Sequence, residues 1–266
     1  MRTGAGTRFA DVRWVAETGS TNADAMALAR DGAAEGIVLV ADHQTAGRGR
    51  HARSWTAPPG ASLLLTVLLR PPAGVLGATT MAMAVAAAEA VEEVAGFAPR
   101  LKWPNDLMVD DRKLAGILAE ADWPPGSDIG GGWSPPPPTA RAVVVVGLGL
   151  NVNWPAELPE ELAATATAVN HVTGHHVDRA ELLGAFLRRL DRWYTDLVER
   201  GDRSAVFDHW RERSATLGRQ VRVDLGSCDV VGTAVDVTAE GHLVVDTAEG
   251  ERRVLAVGDV VHLRPA

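Results

Sequence analysis

Gln44-Thr45-Ala46-Gly47-Arg48-Gly49-Arg50-His51-Ala52-Arg53-Ser54-Trp55 is a polar, loop-like run set between two apolar segments. Its glycines let a backbone come close to a ligand and its arginines offer forked donors, so the run suits a polyanion such as phosphate. The same composition serves a solvated surface loop or a sequence-tolerant RNA contact, and the run alone does not separate these readings. Its flanks add context. Ile37-Val38-Leu39-Val40 before it and Leu63-Leu64-Leu65-Thr66-Val67-Leu68-Leu69 after it read as buried strands, so the chain leaves a sheet, crosses the basic loop and returns. A rigid scaffold carrying a mobile cationic loop is a common active-site arrangement.

The chain has 266 residues, 46% of them apolar, which is enough for one sizeable core plus a smaller module. A net charge of -8 argues against a generic nucleic-acid binder, because affinity for a phosphate backbone needs a surplus of Lys and Arg. The basic loop is therefore local chemistry on an acidic body. Cys228 is the single cysteine, so an intrachain disulfide and a thiolate metal cluster are both excluded. No apolar run approaches a membrane span, and Met1 to Trp14 lacks a signal-peptide core. A cytoplasmic location with no nucleic-acid and no membrane partner is expected.

Ser20-Thr21-Asn22-Ala23-Asp24 predicts a helix start, with Thr21 and Asp24 fitting a capping box and Gly32 as the stop. A helix N-terminus also presents unpaired amides that can hold a polar head group, and the segment leaves capping and ligand roles open. Val75 to Gly96 predicts an Ala-rich helix packed on the sheet, with Met81 and Met83 as core filler. Arg100-Leu101-Lys102-Trp103 reads as a short strand, Pro104-Asn105-Asp106 as a turn, Leu107-Met108-Val109 as the next strand, and Lys113 to Glu120 as its hairpin partner. Lys102, between two apolar residues, is either an edge-strand gatekeeper or a cation aimed into a site. Residues 123–138, rich in Pro and Gly, predict a solvent loop between strands.

Val143-Val144-Val145-Val146 predicts a central strand running into Gly147-Leu148-Gly149-Leu150-Asn151, where the glycines imply close approach by another group. They do not form a dinucleotide fingerprint, since the third glycine is missing. Glu181 to Arg200 and Ser204 to Leu217 predict two helices, the first ended by Gly201. His171, His175 and His176 have no carboxylate or cysteine at ligand spacing, so no metal site is assigned. From Val221 onward, short alternating strands with Gly-containing turns predict a small β-barrel module.

Taken in order, Ser20-Thr21-Asn22, Gln44 through Trp55, Lys102-Trp103-Pro104-Asn105-Asp106, Lys113-Leu114-Ala115-Gly116-Ile117-Leu118 and Gly147 through Asn151 resemble the motifs of biotin protein ligases. The resemblance covers nearly the whole chain. It implies an α/β (α+β) fold: a mixed β-sheet flanked by helices, of the class II synthetase and biotin ligase type, over residues 1–217, then an SH3-like C-terminal domain over 218–266. It also implies an ATP-dependent ligase that forms biotinyl-5′-AMP and passes biotin to a lysine of a biotin carboxyl carrier domain. ATP and biotin would be substrates, Mg²⁺ would accompany the nucleotide without a dedicated metal cluster, and the protein would be a monomer or weak homodimer.

By the same resemblance Lys102 and Arg48 would be catalytic. Ser20, Thr21, Asn22, Gln44, Arg48, Gly49, Arg50, Lys102, Gly147 and Gly149 would surround biotin. Arg50, Arg53, Trp55, Lys113 and Asn151 would contact the nucleotide. The loop Gly47 to Arg53 is expected to be mobile without ligand. Ala52 stands where the family usually has a second glycine, so a positive φ required there would be strained. Little precedes Arg13, where repressor members carry a DNA-binding domain, so an enzyme without operator binding is expected. A lipoate ligase or octanoyltransferase of the same architecture, and a biotin-responsive regulatory binding protein, are the competing readings.

Overall fold

The structure is a computed structural model that describes residues 4, 6–122, 139–226 and 228–263. The proline-rich stretch 123–138 lies outside the described residues. Elsewhere the strands form two sheets.

The larger sheet has seven strands in the order β1-β2-β3-β7-β6-β5-β4. These are β1 (Asp11–Thr18), β2 (Ile37–Gln44), β3 (Ser62–Leu69), β4 (Arg100–Lys102), β5 (Asp106–Val109), β6 (Arg112–Asp122) and β7 (Val143–Asn151). Only β1 and β2 run parallel, joined by the crossover helix α1 (Thr21–Arg30), so the sheet is mixed. The β-branched run of β7 occupies the centre, as its composition dictates. Helices α2 (Leu76–Ala95) and α5 (Arg179–Thr195) share the main apolar core with β3 and β7, and the short α3 (Glu160–Ala163) and α4 (Val169–Thr173) sit in the connection between β7 and α5.

Several local expectations are corrected. The start of α1 is not a capping box: Ser20 makes no side-chain cap, and Gln44 Oε1 on β2 instead accepts from Thr21 N at 2.8 Å and Thr21 Oγ1 at 3.1 Å. The segment Ala73–Ala95 is long and apolar enough to cross a membrane, contrary to the sequence reading, yet 78% of its apolar window is buried inside the fold. α5 ends at Thr195 and continues as a wider turn, Asp196–Arg200, before Gly201 closes it with φ +65°. α6 (Ser204–Glu212) stops short of Leu217 because the following residues pair with edge strand β4, through Leu101 N to Arg213 O at 2.8 Å and Ala215 N to Leu101 O at 2.7 Å.

The smaller sheet is antiparallel, in the order β11-β10-β9-β8-β12. Its strands are β8 (Gln220–Asp224), β9 (Asp229–Val237), β10 (Leu243–Thr247), β11 (Arg252–Leu255) and β12 (Asp259–His262). Val221 and Val223 alternate with exposed residues along β8, and they join the main core with Ala234, Leu243 and Val245. The β8 and β12 end of this sheet faces the basic loop.

Candidate active site

A cavity of about 360 Å³ opens between the two sheets beneath the loop. One end is built by the start of α1 and the central strands. Asn22 is 5% exposed; its Nδ2 donates to Glu120 Oε2 at 2.7 Å and its Oδ1 accepts from Thr66 Oγ1 at 2.6 Å. A Cβ at Gly147 would overlap Asn22 Oδ1 and lie 3.1 Å from its Cγ, so only glycine lets β7 pass that close. Ser20, Thr21 and Gln44 complete this end over the backbone of Leu65, Ile117 and Leu148, whose side chains turn to the other face of the sheet and join the main core. Polar groups fixed by one another beside a strand stripped of side chains suit a compact ligand with a polar head and a flat body that lies close to the backbone.

The middle is floored by glycine. Gly116 on β6 pairs directly with Gly149 on β7, and the Trp55 ring lies across both. A Cβ at Gly149 would sit 2.5 Å from Trp55 Cε2, and one at Gly116 would sit 2.9 Å from Cζ3. Trp55 Nε1 is buried with no hydrogen-bond partner among the described residues, a donor facing a wall that offers it no acceptor.

The other end is cationic. Lys102, on β4, is half buried, and burial pulls its pKa below the ordinary lysine value of 10.5 while Asp106 opposes the shift. Lys113 Nζ stands 2.7 Å from Asp106 Oδ1 and 5.4 Å from the centre of the Trp55 ring. The loop arches above as a miniature hairpin, with Gly49 N donating to Arg53 O at 2.7 Å and Trp55 N donating to Gly47 O at 2.9 Å. His51 and Ala52 both lie in the left-handed region, at φ +53° and +57°, so the positive φ expected at Ala52 is present.

The arginines are held from two sides. Arg48 Nη2 donates to Glu120 Oε2 at 3.1 Å. Arg50 donates to Asn105 Oδ1 and Asp259 Oδ1, both at 3.3 Å, and to Gly258 O at 3.1 Å. Arg53 pairs with Asp259 Oδ2, and His51 Nε2 is 3.5 Å from Oδ1. Burial lowers the Arg50 pKa and Asp259 works against it.

The structure therefore gathers Ser20, Thr21, Asn22, Gln44, Arg48, Gly49, Arg50, Arg53, Trp55, Lys102, Lys113, Gly147 and Gly149 around one cavity. Asn151 is the exception. It lies off the cavity wall, 2% exposed, with Nδ2 donating to Thr167 O at 3.0 Å, because it closes β7 against the loop that precedes α4. Residues missed by the sequence are Thr66, Glu120, Gly116 and Asp259. A signal existed for two of them: Thr66 is a hydroxyl inside an apolar run, and Gly116 is a glycine inside a strand.

Comparison with known proteins agrees with this geometry. The biotin/lipoate A/B protein ligase family matches residues 18–122, and the biotin protein ligase C-terminal domain matches residues 216–263. A biotin–(acetyl-CoA-carboxylase) ligase of Mycobacterium tuberculosis is 38% identical over 98% of this chain and 92% of its own length. One from Paracoccus denitrificans is 33% identical over 92% of this chain and 98% of its own. The biotin protein ligase of Aquifex aeolicus, solved with biotin and ATP, superposes with a TM-score of 0.78 at 28% identity, covering 97% of this chain and 100% of that one. A buried polar head site, a glycine floor, a cationic loop and this level of relatedness over the full length place the chain in the biotin protein ligase family.

Proposed function

We propose that the protein activates biotin with ATP as biotinyl-5′-AMP and transfers the biotinyl group to a lysine of the carrier domain of an acyl-CoA carboxylase. The observation that carries this reading is convergence: Lys102 and the loop arginines line the same cavity as the start of α1 and the glycines of β7. A carboxylate and a triphosphate repel each other, so fixed cations at their meeting point are what the first step most needs.

In that step a carboxylate oxygen of biotin bonds to the α-phosphorus, the bond to the β-phosphate breaks, and pyrophosphate leaves. The head group sits among Ser20, Thr21, Asn22 and Gln44, the rings lie against the backbone of Gly147 and Gly149, and Lys102 meets both the carboxylate and the α-phosphate. Arg48, Arg50 and Arg53 cover the charge and exclude water, which would otherwise hydrolyse the mixed anhydride. In the second step the neutral carrier amine attacks the acyl carbon, the bond to the phosphate oxygen breaks, and AMP departs. Asp106 and Asp224 are hard oxygen donors on the cavity wall, of the kind that holds Mg²⁺ together with nucleotide phosphates; when bound, the ion would neutralise charge on the leaving pyrophosphate.

We assign residues 1–217 to the catalytic domain and 218–266 to the C-terminal domain, and place the enzyme in the cytoplasm with its carrier. The test is transfer of labelled biotin to a purified carrier domain with ATP present or omitted, with lipoate as the competing acid. Label reaching the carrier only with ATP, and undiminished by lipoate, supports the assignment. Transfer of lipoate in preference to biotin overturns it.

A further inference from the structure

The C-terminal sheet touches the catalytic domain at a second place, away from the loop. The turn between β9 and β10 is closed by Gly241 N to Thr238 O at 2.9 Å and Thr238 N to His242 O at 2.8 Å. It is pressed into the first turn of α2. A Cβ at Gly77 would overlap the Glu240 carbonyl oxygen and lie 2.9 Å from its carbon, so this approach exists only because position 77 is glycine. From the other side Trp103, 1% exposed, donates its Nε1 to Gly241 O at 2.9 Å.

We propose that Gly77 and Trp103 are positioning residues for the ligation: they form the seat of the β9–β10 turn and thereby fix where the C-terminal sheet presents Asp259 to the loop arginines. Three facts carry this. β9 and β12 belong to one hydrogen-bonded sheet with β8 between them, so a push at the turn is transmitted about 10 Å across as a rigid displacement. Asp259, at the start of β12, is the carboxylate that Arg50 and Arg53 share. Trp103 also follows Lys102 directly, and its backbone N donates to Thr216 Oγ1 at 3.1 Å in the connection to β8, so one residue ties the lysine strand both to the entry of β8 and to the β9–β10 turn.

The biotin head end contains no residue of that sheet, whereas Asp224, Asp259 and Val261 line the opposite end. Displacing the seat therefore disturbs the nucleotide end and leaves head-group recognition alone. Gly to Ala within a helix ordinarily stabilises, so a functional loss from this change reports the contact with Glu240 and not helix propensity.

The inference rests on the biotin ligase reading for its kinetic arm and stands free of it for its structural arm. The full chain is prepared as wild type, Gly77→Ala and Trp103→Phe, the last removing the indole donor together with part of the buried ring that seats the turn. For the structural arm, tryptic cleavage between Arg48 and Arg53 is timed without ligand; both variants are expected to be cut about fivefold faster than wild type. For the kinetic arm, KM for ATP is expected to rise about tenfold while the biotin dissociation constant stays within about twofold. If Gly77→Ala does not fold, Trp103→Phe decides alone. Wild-type cleavage and wild-type KM in the folded variants overturn the inference, as does a parallel loss of biotin affinity. Failure of the wild type to use biotin at all sinks the functional reading while leaving the cleavage result to judge the seat.

Discussion

Arg50 on the loop donates through Nη1 to Asp259 on the C-terminal sheet at 3.3 Å, joining positions 209 residues apart. The same carboxylate receives Arg53 and stands near His51, so one acidic side chain pins the whole tip of the loop. Each such ion pair contributes at most about 1 kcal/mol, so together they offset only part of the cost of ordering the loop, about 1–2 kcal/mol per residue fixed. Asp259→Asn is expected to let the adenylate escape several times faster, measured as AMP and free biotin appearing without carrier. Unchanged retention would leave Asp259 with no part in closing the loop.

Lys102 must be charged to bring a carboxylate and a phosphate together, and burial lowers its pKa below 10.5. The free enzyme loses that charge as pH rises through the lowered value, so kcat/KM for adenylate formation should fall on an alkaline limb below the ordinary lysine range. In Lys102→Arg, whose guanidinium stays charged, the limb should vanish while the rate is reduced by lost geometry. A wild-type limb at or above 10.5 would contradict this role. For stability the sign is opposite: the buried charge is a penalty below the lowered pKa, relieved as pH rises from there toward 10.5.

Gly147 allows Asn22 to sit against β7, and a methyl there must displace the side chain that Thr66 and Glu120 hold. Overpacking of this kind costs about 1–3 kcal/mol, or roughly tenfold to a hundredfold in affinity. Titration calorimetry of Gly147→Ala should show that loss in biotin binding. Wild-type affinity would remove Asn22 from head-group recognition.

The loop, the Lys102 strand, the central β7 and the C-terminal strands were legible because each is written in a local pattern of charge, glycine or alternation. What the sequence withheld is tertiary. Gln44 replaces the expected cap of α1 from across a strand boundary, and Glu120 and Asp259 reach the arginines from far along the chain. The end of α6 is set by an unforeseen pairing with β4, which no helix pattern in residues 204–217 can encode. Asn151 was assigned to the nucleotide by resemblance, yet its burial against Thr167 depends on how the loop before α4 folds back.

Ala52 carries φ +57°, a conformation that costs an ordinary residue about 1 kcal/mol and glycine almost nothing. Ala52→Gly relieves that strain in the closed loop, which outweighs the added freedom of the open one. Adenylate release without carrier should slow by about twofold to fivefold. Faster release would show that the left-handed conformation is not the one the ligand selects.

The central claim is that Lys102 and the loop arginines act on a single meeting point of acid and nucleotide. It is tested most directly by pyrophosphate release from ATP in the presence of biotin and the absence of carrier, compared between wild type and Lys102→Ala of verified fold. Wild type should give one burst of pyrophosphate per enzyme with matching biotinyl-adenylate, and Lys102→Ala should give neither while still binding biotin. A burst of wild-type size and rate in Lys102→Ala would contradict it.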